Sequence, residues 1–275
     1  MAETSIQDML DLARRLATEA ARISLSDAGR LAVERKPDDS IVTEADRAIQ
    51  RLIFQAVNEA YPDHAVLGEE ISGDSDCQGD PIPGQTEFCW VVDPLDGTRN
   101  YAAGFGVFGT SIAVLRWGRP VVGVVSEHNL GSVYTAMLGG GARLDDKPIR
   151  VQDPPPDEDF LVAIPSTKDT LSVKVSQTWS AADGFVCRNV GSTALHLALV
   201  ASGTLAGAFA KRSKIWDIAA GWLLVSEAGG RVTDVRGGDR LPFSLEGDPN
   251  VDLPFLAAPP RMHKYLLETI RAAVP

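Results

Sequence analysis

The segment Trp90 to Tyr101, WVVDPLDGTRNY, constrains this chain more than any other. An apolar run of strand character passes directly into two aspartates three residues apart, then into Gly97 and Thr98. A buried strand does not end in paired carboxylates without compensation, because desolvated like charges repel. Flanking a Pro-Leu turn, Asp93 and Asp96 can point into one space, where they need a cation between them. Hard carboxylate oxygens suit Mg2+, with Mn2+ as the alternative. Gly97 and Thr98 add backbone N–H groups at the start of a helix, a place where phosphate binds. The same residues also make an ordinary capped strand-to-helix turn, so other segments must decide.

Three of them add acids at comparable places. GEE puts Glu69 and Glu70 after the apolar run Ala65 to Leu67, IVTEAD puts Thr43 and Asp46 at a helix start, and WDIAAG puts Asp217 at another. Each alone reads as a solvated turn or a helix cap. Together they assemble a set of carboxylates spread along the chain. The net charge of −11 argues against a nucleic-acid polymer or an anionic membrane as partner, since both require clustered Lys and Arg. An acidic chain that handles phosphate needs cations, from bound metal or a local basic patch such as Lys211, Arg212 and Lys214.

Apolar residues from Ile6 to Ile23 recur at spacings of three and four, which predicts an opening amphipathic helix. A second helix is expected from about Ala45 to Ala60, before Tyr61-Pro62-Asp63. Ser72 to Glu87 reads as a surface loop. From Phe88 short β-rich runs predict an antiparallel meander. After the connector Asp153 to Asp159, strands alternate with helices near Thr170 to Ala182, Ser192 to Ser202, Asp217 to Ala228 and Arg261 to Ala273. Residues 1–152 are therefore expected to form an N-terminal α+β half and residues 153–275 a C-terminal α/β half, with the site between them.

No apolar stretch reaches 18 residues and the N-terminus lacks a signal-peptide pattern, so a cytoplasmic location is expected. Cys77, Cys89 and Cys187 form no CxxC pair and read as reduced structural thiols. His64, His128, His196 and His263 fall in no metal or phosphatase motif and are assigned to packing. Ser192 is not in a GxSxG elbow, which excludes it as a nucleophile.

With GEE, DPLDGT and WDIAAG in this order, followed by EAGG at Glu227 to Gly230, nearly the whole chain resembles the inositol monophosphatase family of lithium-sensitive, metal-dependent phosphatases. The resemblance implies a layered αβαβα sandwich of sugar-phosphatase type, two or three Mg2+ ions, inhibition by Li+ and a homodimer. It also implies that Glu69, Asp93 and the Leu95 carbonyl hold one ion, that Asp93, Asp96 and Asp217 hold a second, and that Glu69 touches a weaker third. Thr98 with Asp46 would orient or deprotonate the attacking water, with Glu70 a further catalytic candidate. Gly97 and Thr98 amides would bind phosphate. Gly191 and Ser192 would contact substrate, and Lys36 and Thr43 line the same region. Metal acidifies bound water and offsets the charge that develops in phosphoryl transfer, so no covalent enzyme intermediate is required.

The resemblance departs at Ala210, where inositol-preferring members carry a glutamate that accepts hydrogen bonds from substrate hydroxyls. Lys211, Arg212 and Lys214 beside it suit a second phosphate or another anion. A small phosphate ester of a polyol or sugar is the expected substrate, with fructose 1,6-bisphosphate, histidinol phosphate and adenosine 3',5'-bisphosphate as alternatives. A non-catalytic metal- or phosphate-binding regulatory protein on the same scaffold is the competing class. An isomerase of sugar phosphates is a third reading.

Overall fold

The structure is a computed structural model that describes residues 5–26, 33–36, 41–70, 81–155, 158–166 and 169–273. Cys77 and most of the loop expected over Ser72 to Glu87 lie outside these residues. The opening helix α1 spans Ile6–Leu25 and buries Met9, Leu10, Ala13, Leu16, Ala17 and Ala20 along one face. The second helix, α2, spans Glu44–Ala60 and buries Ile49, Ile53 and Val57. Between them a small antiparallel ribbon pairs β1 (Val33–Arg35) with β2 (Ile41–Thr43).

Both helices cover one face of a seven-stranded sheet. Its strands are β3 (Ala65–Gly68), β4 (Phe88–Asp96), β5 (Gly109–Arg116), β6 (Arg119–Glu127), β7 (Ser132–Met137), β8 (Gly141–Leu144) and β9 (Lys147–Ile149), in that spatial order. The expected antiparallel meander runs from β4 to β9, with β3 added parallel to β4. Successive side chains of a strand face opposite sides. Trp90, Val92, Ile112 and Val114 accordingly pack under α1 and α2. Val91, Ala113, Leu115 and Val125 join the core on the other side.

A second, five-stranded sheet has the order β11 (Phe185–Arg188), β10 (Phe160–Ala163), β12 (Gly207–Ala210), β14 (Phe255–Ala258) and β13 (Arg231–Thr233). Helices α5 (Thr193–Ala201) and α6 (Ile215–Glu227) lie between the two sheets and share a core with both. Helices α4 (Thr170–Ala181) and α7 (Pro260–Ala273) close the outer face. The result is the layered αβαβα sandwich, helices 1 and 2, sheet, helices 5 and 6, sheet, helices 4 and 7. Because α5 and α6 have sheets on both sides, they are apolar nearly all round, unlike α1. A Cβ on Gly123 of β6 would lie 2.7 Å from the Ala220 carbonyl oxygen, so glycine is what lets α6 approach the sheet this closely. No helix among the described residues is long and apolar enough to cross a membrane.

Candidate functional site

The paired aspartates do not flank a turn after the strand; β4 continues through them. Residues three apart in a regular strand face opposite sides, so Asp93 and Asp96 could not share a space without an irregularity. One is present: Asp93 pairs with Ser111 and Asp96 with Gly109, so Pro94 and Leu95 of β4 oppose Thr110 alone. This extra residue is a β-bulge, a device that re-aims side chains. Pro94 lacks an N–H and so loses no ladder donor there. The Leu95 N–H turns back to donate to Asp93 Oδ1 at 3.0 Å.

Gly97, at φ +93, then starts the short helix α3 (Thr98–Ala102), and a Cβ there would meet the Val107 carbonyl oxygen at 3.0 Å. Left-handed backbone and close approach together account for glycine at this position. The Thr98 hydroxyl lies 3.0 Å from Asp46 Oδ1 and 2.9 Å from the Leu95 carbonyl. Asp46 is wholly buried in the first turn of α2, where it accepts from the Thr43 N–H at 2.8 Å and from the Thr43 hydroxyl. Asp217 occupies the first turn of α6 and accepts from the Lys214 N–H at 2.7 Å. Asp96 Oδ2 accepts from the Ser192 hydroxyl at 2.7 Å and the Ala194 N–H at 2.5 Å, which ties the bulge to the start of α5.

Glu69, Asp93, Leu95, Asp96, Gly97, Thr98, Gly191, Ser192, Ala210, Arg212 and Asp217 line one cavity of about 240 Å³. Glu70 and Lys211 are not on its wall. Glu70 instead pairs with Lys36 at 2.6 Å, which also reaches Glu69 at 3.2 Å. Lys211 faces Asp169 at 3.8 Å, and Lys214 bonds Asp252 at 2.8 Å and the Asn250 carbonyl, so of the three cations only Arg212 faces the cavity. Asp46 acts on the cavity through Thr98. His196, assigned to packing, is indeed buried but also lines the cavity, where its Nε2 accepts from the Val190 N–H at 3.1 Å. Arg99, Ser166 and Asn189 on the wall were not singled out in the sequence. Arg99 stands inside the segment that was, whereas the other two lie in stretches of no motif.

The electrostatics follow from burying acids together. Burial, then Glu69, Asp96, Asp217 and Asp46, push the Asp93 carboxyl well above the usual range. Burial, then Asp96 and Glu69, do the same to Asp217. Burial raises Asp96 to about 6 against the opposing hydrogen bonds from Ser192 and Ala194, and raises Asp46 to about 6 against those from Thr43 and Thr98. Glu70 rises to about 7 through burial and Glu69, although Lys36 opposes this. Among the described residues no group of three or more His, Cys, Asp or Glu side chains is arranged to hold a metal ion as it stands. Each Asp has an oxygen committed to an N–H or O–H, as given above. The donor set nonetheless fits a hard divalent cation: it is all oxygen, it shares one cavity, and its members are destabilised by one another's charge. Outside the cavity, Cys89 and Cys187 are free thiols.

An αβαβα sandwich with a carboxylate-lined cavity at the N-terminal ends of its middle helices defines a class of proteins, and sequence comparison identifies which. The chain matches the inositol monophosphatase family over residues 5–274 and belongs to it. It is 34% identical over 277 residues, 96% of each chain, to Nus factor SuhB of Pasteurella multocida. It is 32% identical over 244 residues to the inositol-1-monophosphatase of Mesorhizobium japonicum, covering 86% of this chain and 88% of that one. Among solved structures, an IMPase of Thermotoga maritima matches with a TM-score of 0.83 at 28% identity, covering 97% of this chain and 98% of that one.

Proposed function

We propose that the protein is a Mg2+-dependent phosphate monoester hydrolase that releases inorganic phosphate from a small polyol or sugar phosphate. The observation that carries this reading is the convergence of Glu69 from the turn after β3, Asp93 and Asp96 from β4, and Asp217 from α6 on the cavity that also receives Thr98. Glu69, Asp93, Asp96, Asp217 and the Leu95 carbonyl would hold the ions, with Mn2+ as a substitute and Li+ as an inhibitor. The bound cations supply Lewis acidity, which acidifies water and offsets phosphate charge.

The chain's own groups do the positioning. The Thr98 hydroxyl shares its one proton between two groups that can only accept, Asp46 Oδ1 and the Leu95 carbonyl, so its oxygen is left to accept a hydrogen bond from an attacking water, whose proton can pass through it to Asp46. Asp46, fixed by Thr43, holds that hydroxyl in one rotamer and serves as the acceptor behind it. The Gly97 and Thr98 amides lie at the start of α3, within reach of a phosphate oxygen in the cavity. Water is the nucleophile, and no side chain need form a covalent bond.

On the substrate side, the Ala210 side chain offers no acceptor for sugar hydroxyls, and Arg212 brings a guanidinium that lies 3.5 Å from Asp252. This supports substrates with a second anionic group, such as fructose 1,6-bisphosphate or adenosine 3',5'-bisphosphate, beside inositol phosphates and histidinol phosphate. The working unit is taken to be a cytoplasmic homodimer. Several relatives bear the name Nus factor SuhB, which favours a second reading, a regulatory protein that binds on the same scaffold. A phosphate-release screen with Mg2+ over the four substrate types decides between them. Release from at least one, abolished by Asp93→Asn, is expected; release from none would leave the regulatory reading.

A further inference from the structure

Resting on that reading, we propose that Thr110 and His128 are positioning residues that hold the β4 bulge and so set the spacing of the metal-binding aspartates. The bulge is what brings Asp93 and Asp96 to one side of the sheet, and nothing in a regular ladder would maintain it. The structure supplies a side chain in place of the missing ladder bond. Thr110, opposite the bulge and wholly buried, donates its hydroxyl proton to the Pro94 carbonyl at 2.7 Å. A hydroxyl has one proton, so its other contact, His128 Nε2 at 3.1 Å, must be a donation from the ring.

That fixes the tautomer: Nε2 carries the proton, and Nδ1 accepts from the Ser24 hydroxyl 2.6 Å away. His128 is 1% exposed, and burial holds it near a pKa of about 3, so the ring is neutral throughout the ordinary pH range. Phe108 lies edge-on to the imidazole at 5.6 Å, and the Tyr101 hydroxyl donates to the Ser24 carbonyl at 3.1 Å. The chain of donors therefore runs from the end of α1 through His128 and Thr110 to the peptide between Asp93 and Leu95. Tyr101 ties α3, with Thr98, to the same anchor. The Ser24 hydroxyl also lies 3.1 Å from the Ala21 carbonyl, but the His128 and Thr110 donors each face one acceptor, so the part of the network that reaches Pro94 has a single direction.

Removing the Thr110 hydroxyl leaves the Pro94 carbonyl buried without its partner, a loss the bulge can relieve only by shifting. The consequence falls on cation affinity before it falls on chemistry. The fold contains a matched control: Thr233 of β13 bridges His263 Nε2 at 2.9 Å and the Asp234 carbonyl at 2.8 Å, on the sheet remote from the bulge. The experiment is calorimetric titration of the folded full chain with Mn2+, without substrate, alongside thermal melts.

Thr110→Val should weaken Mn2+ binding tenfold or more, Thr110→Ser should restore it, and Thr233→Val should stay within twofold of wild type at a similar loss of melting temperature. His128→Phe, which removes both ring bonds but keeps the aromatic packing, is the second test and should also weaken binding. Wild-type affinity in Thr110→Val and His128→Phe overturns the positioning role and leaves the proposed function intact. An equal loss in Thr233→Val also overturns it, because the effect would then follow stability alone. A wild-type chain that binds no Mn2+ overturns the metal reading itself, and this inference with it.

Discussion

Replacing Asp93 by Asn separates what this side chain costs the fold from what it gives the chemistry. Asp93 is 2% exposed, and its ionisation is opposed by burial and by four neighbouring acids. Asp46, wholly buried but better hydrogen-bonded, already sits at about 6 rather than 3.8. A rise of about 2 units at about 1.4 kcal/mol each is ~3 kcal/mol of destabilisation at neutral pH. Asp93 is pushed in the same direction by burial and by more neighbouring acids, and replacing a desolvated charged group by a neutral one of the same shape should return on the order of 2 kcal/mol to the metal-free protein. Its amide oxygen can still accept from the Leu95 N–H, so little is lost in exchange.

The sign follows from proton binding. These carboxyls are raised in the folded state, so the folded chain keeps protons that the unfolded chain gives up above about pH 4. Stability of the metal-free wild type therefore falls as pH climbs from about 4 through 6 and beyond, while below the ordinary carboxyl range the penalty is absent. In scanning calorimetry with a chelator at pH 7.5, Asp93→Asn should melt roughly 4–6 °C above wild type. The gap should close toward pH 4.5, and the same variant should have lost nearly all phosphatase activity. A variant that melts at or below wild type at pH 7.5, or a gap that persists at pH 4.5, would refute the account of Asp93 as an acid held against its neighbours.

Adding Mg2+ or Mn2+ should raise the melting temperature of the wild type more at pH 8 than at pH 5, because cation and protons compete for the same oxygens; equal shifts at both values would count against carboxylate ligation. Thr98→Ala should lower kcat by about 100-fold with little change in KM, and Thr98→Ser should keep most of it; steady-state kinetics checks both. Arg212→Ala should raise KM about tenfold for a bisphosphate and leave a singly phosphorylated polyol unaffected; the same change for both substrates would show that the guanidinium reads the transferred phosphate. Ala210→Glu should shift preference toward inositol phosphates, and an unaltered substrate profile would remove Ala210 from the specificity argument.

What could be read in the sequence was what period and motif encode locally. The apolar spacing of α1 and α2, the β-runs from Phe88 onward and the acids at strand and helix ends predicted the layers and the cavity wall, because each follows from its own neighbours in the chain. The short hairpin β8–β9 escaped, since three or four residues around Asp145-Asp146 carry too little pattern. Side-chain direction escaped more seriously. Lys211 stands one residue before and Lys214 two residues after the cavity-facing cation of their cluster, Arg212, and partners distant in sequence, Asp169 and Asp252, draw them away. Glu70 adjoins Glu69, yet the turn after β3 leaves it against Lys36 and off the cavity wall.

The spacing of Asp93 and Asp96 shows the limit most sharply. Three residues apart in a strand is the wrong interval for two side chains that are proposed to share an ion, and a reading by alternation alone would have set them on opposite faces. The bulge corrects the interval, but its support comes from Thr110, 16 residues away, and from His128 and Ser24 beyond it. None of these carries a motif, and His128 in isolation reads as a packed core residue, which it also is. The proposed metal site would thus be written twice in the chain, once as carboxylates that can be recognised and once as buried polar groups that hold them at the right interval. Only the second set depends on register, which no local pattern reveals.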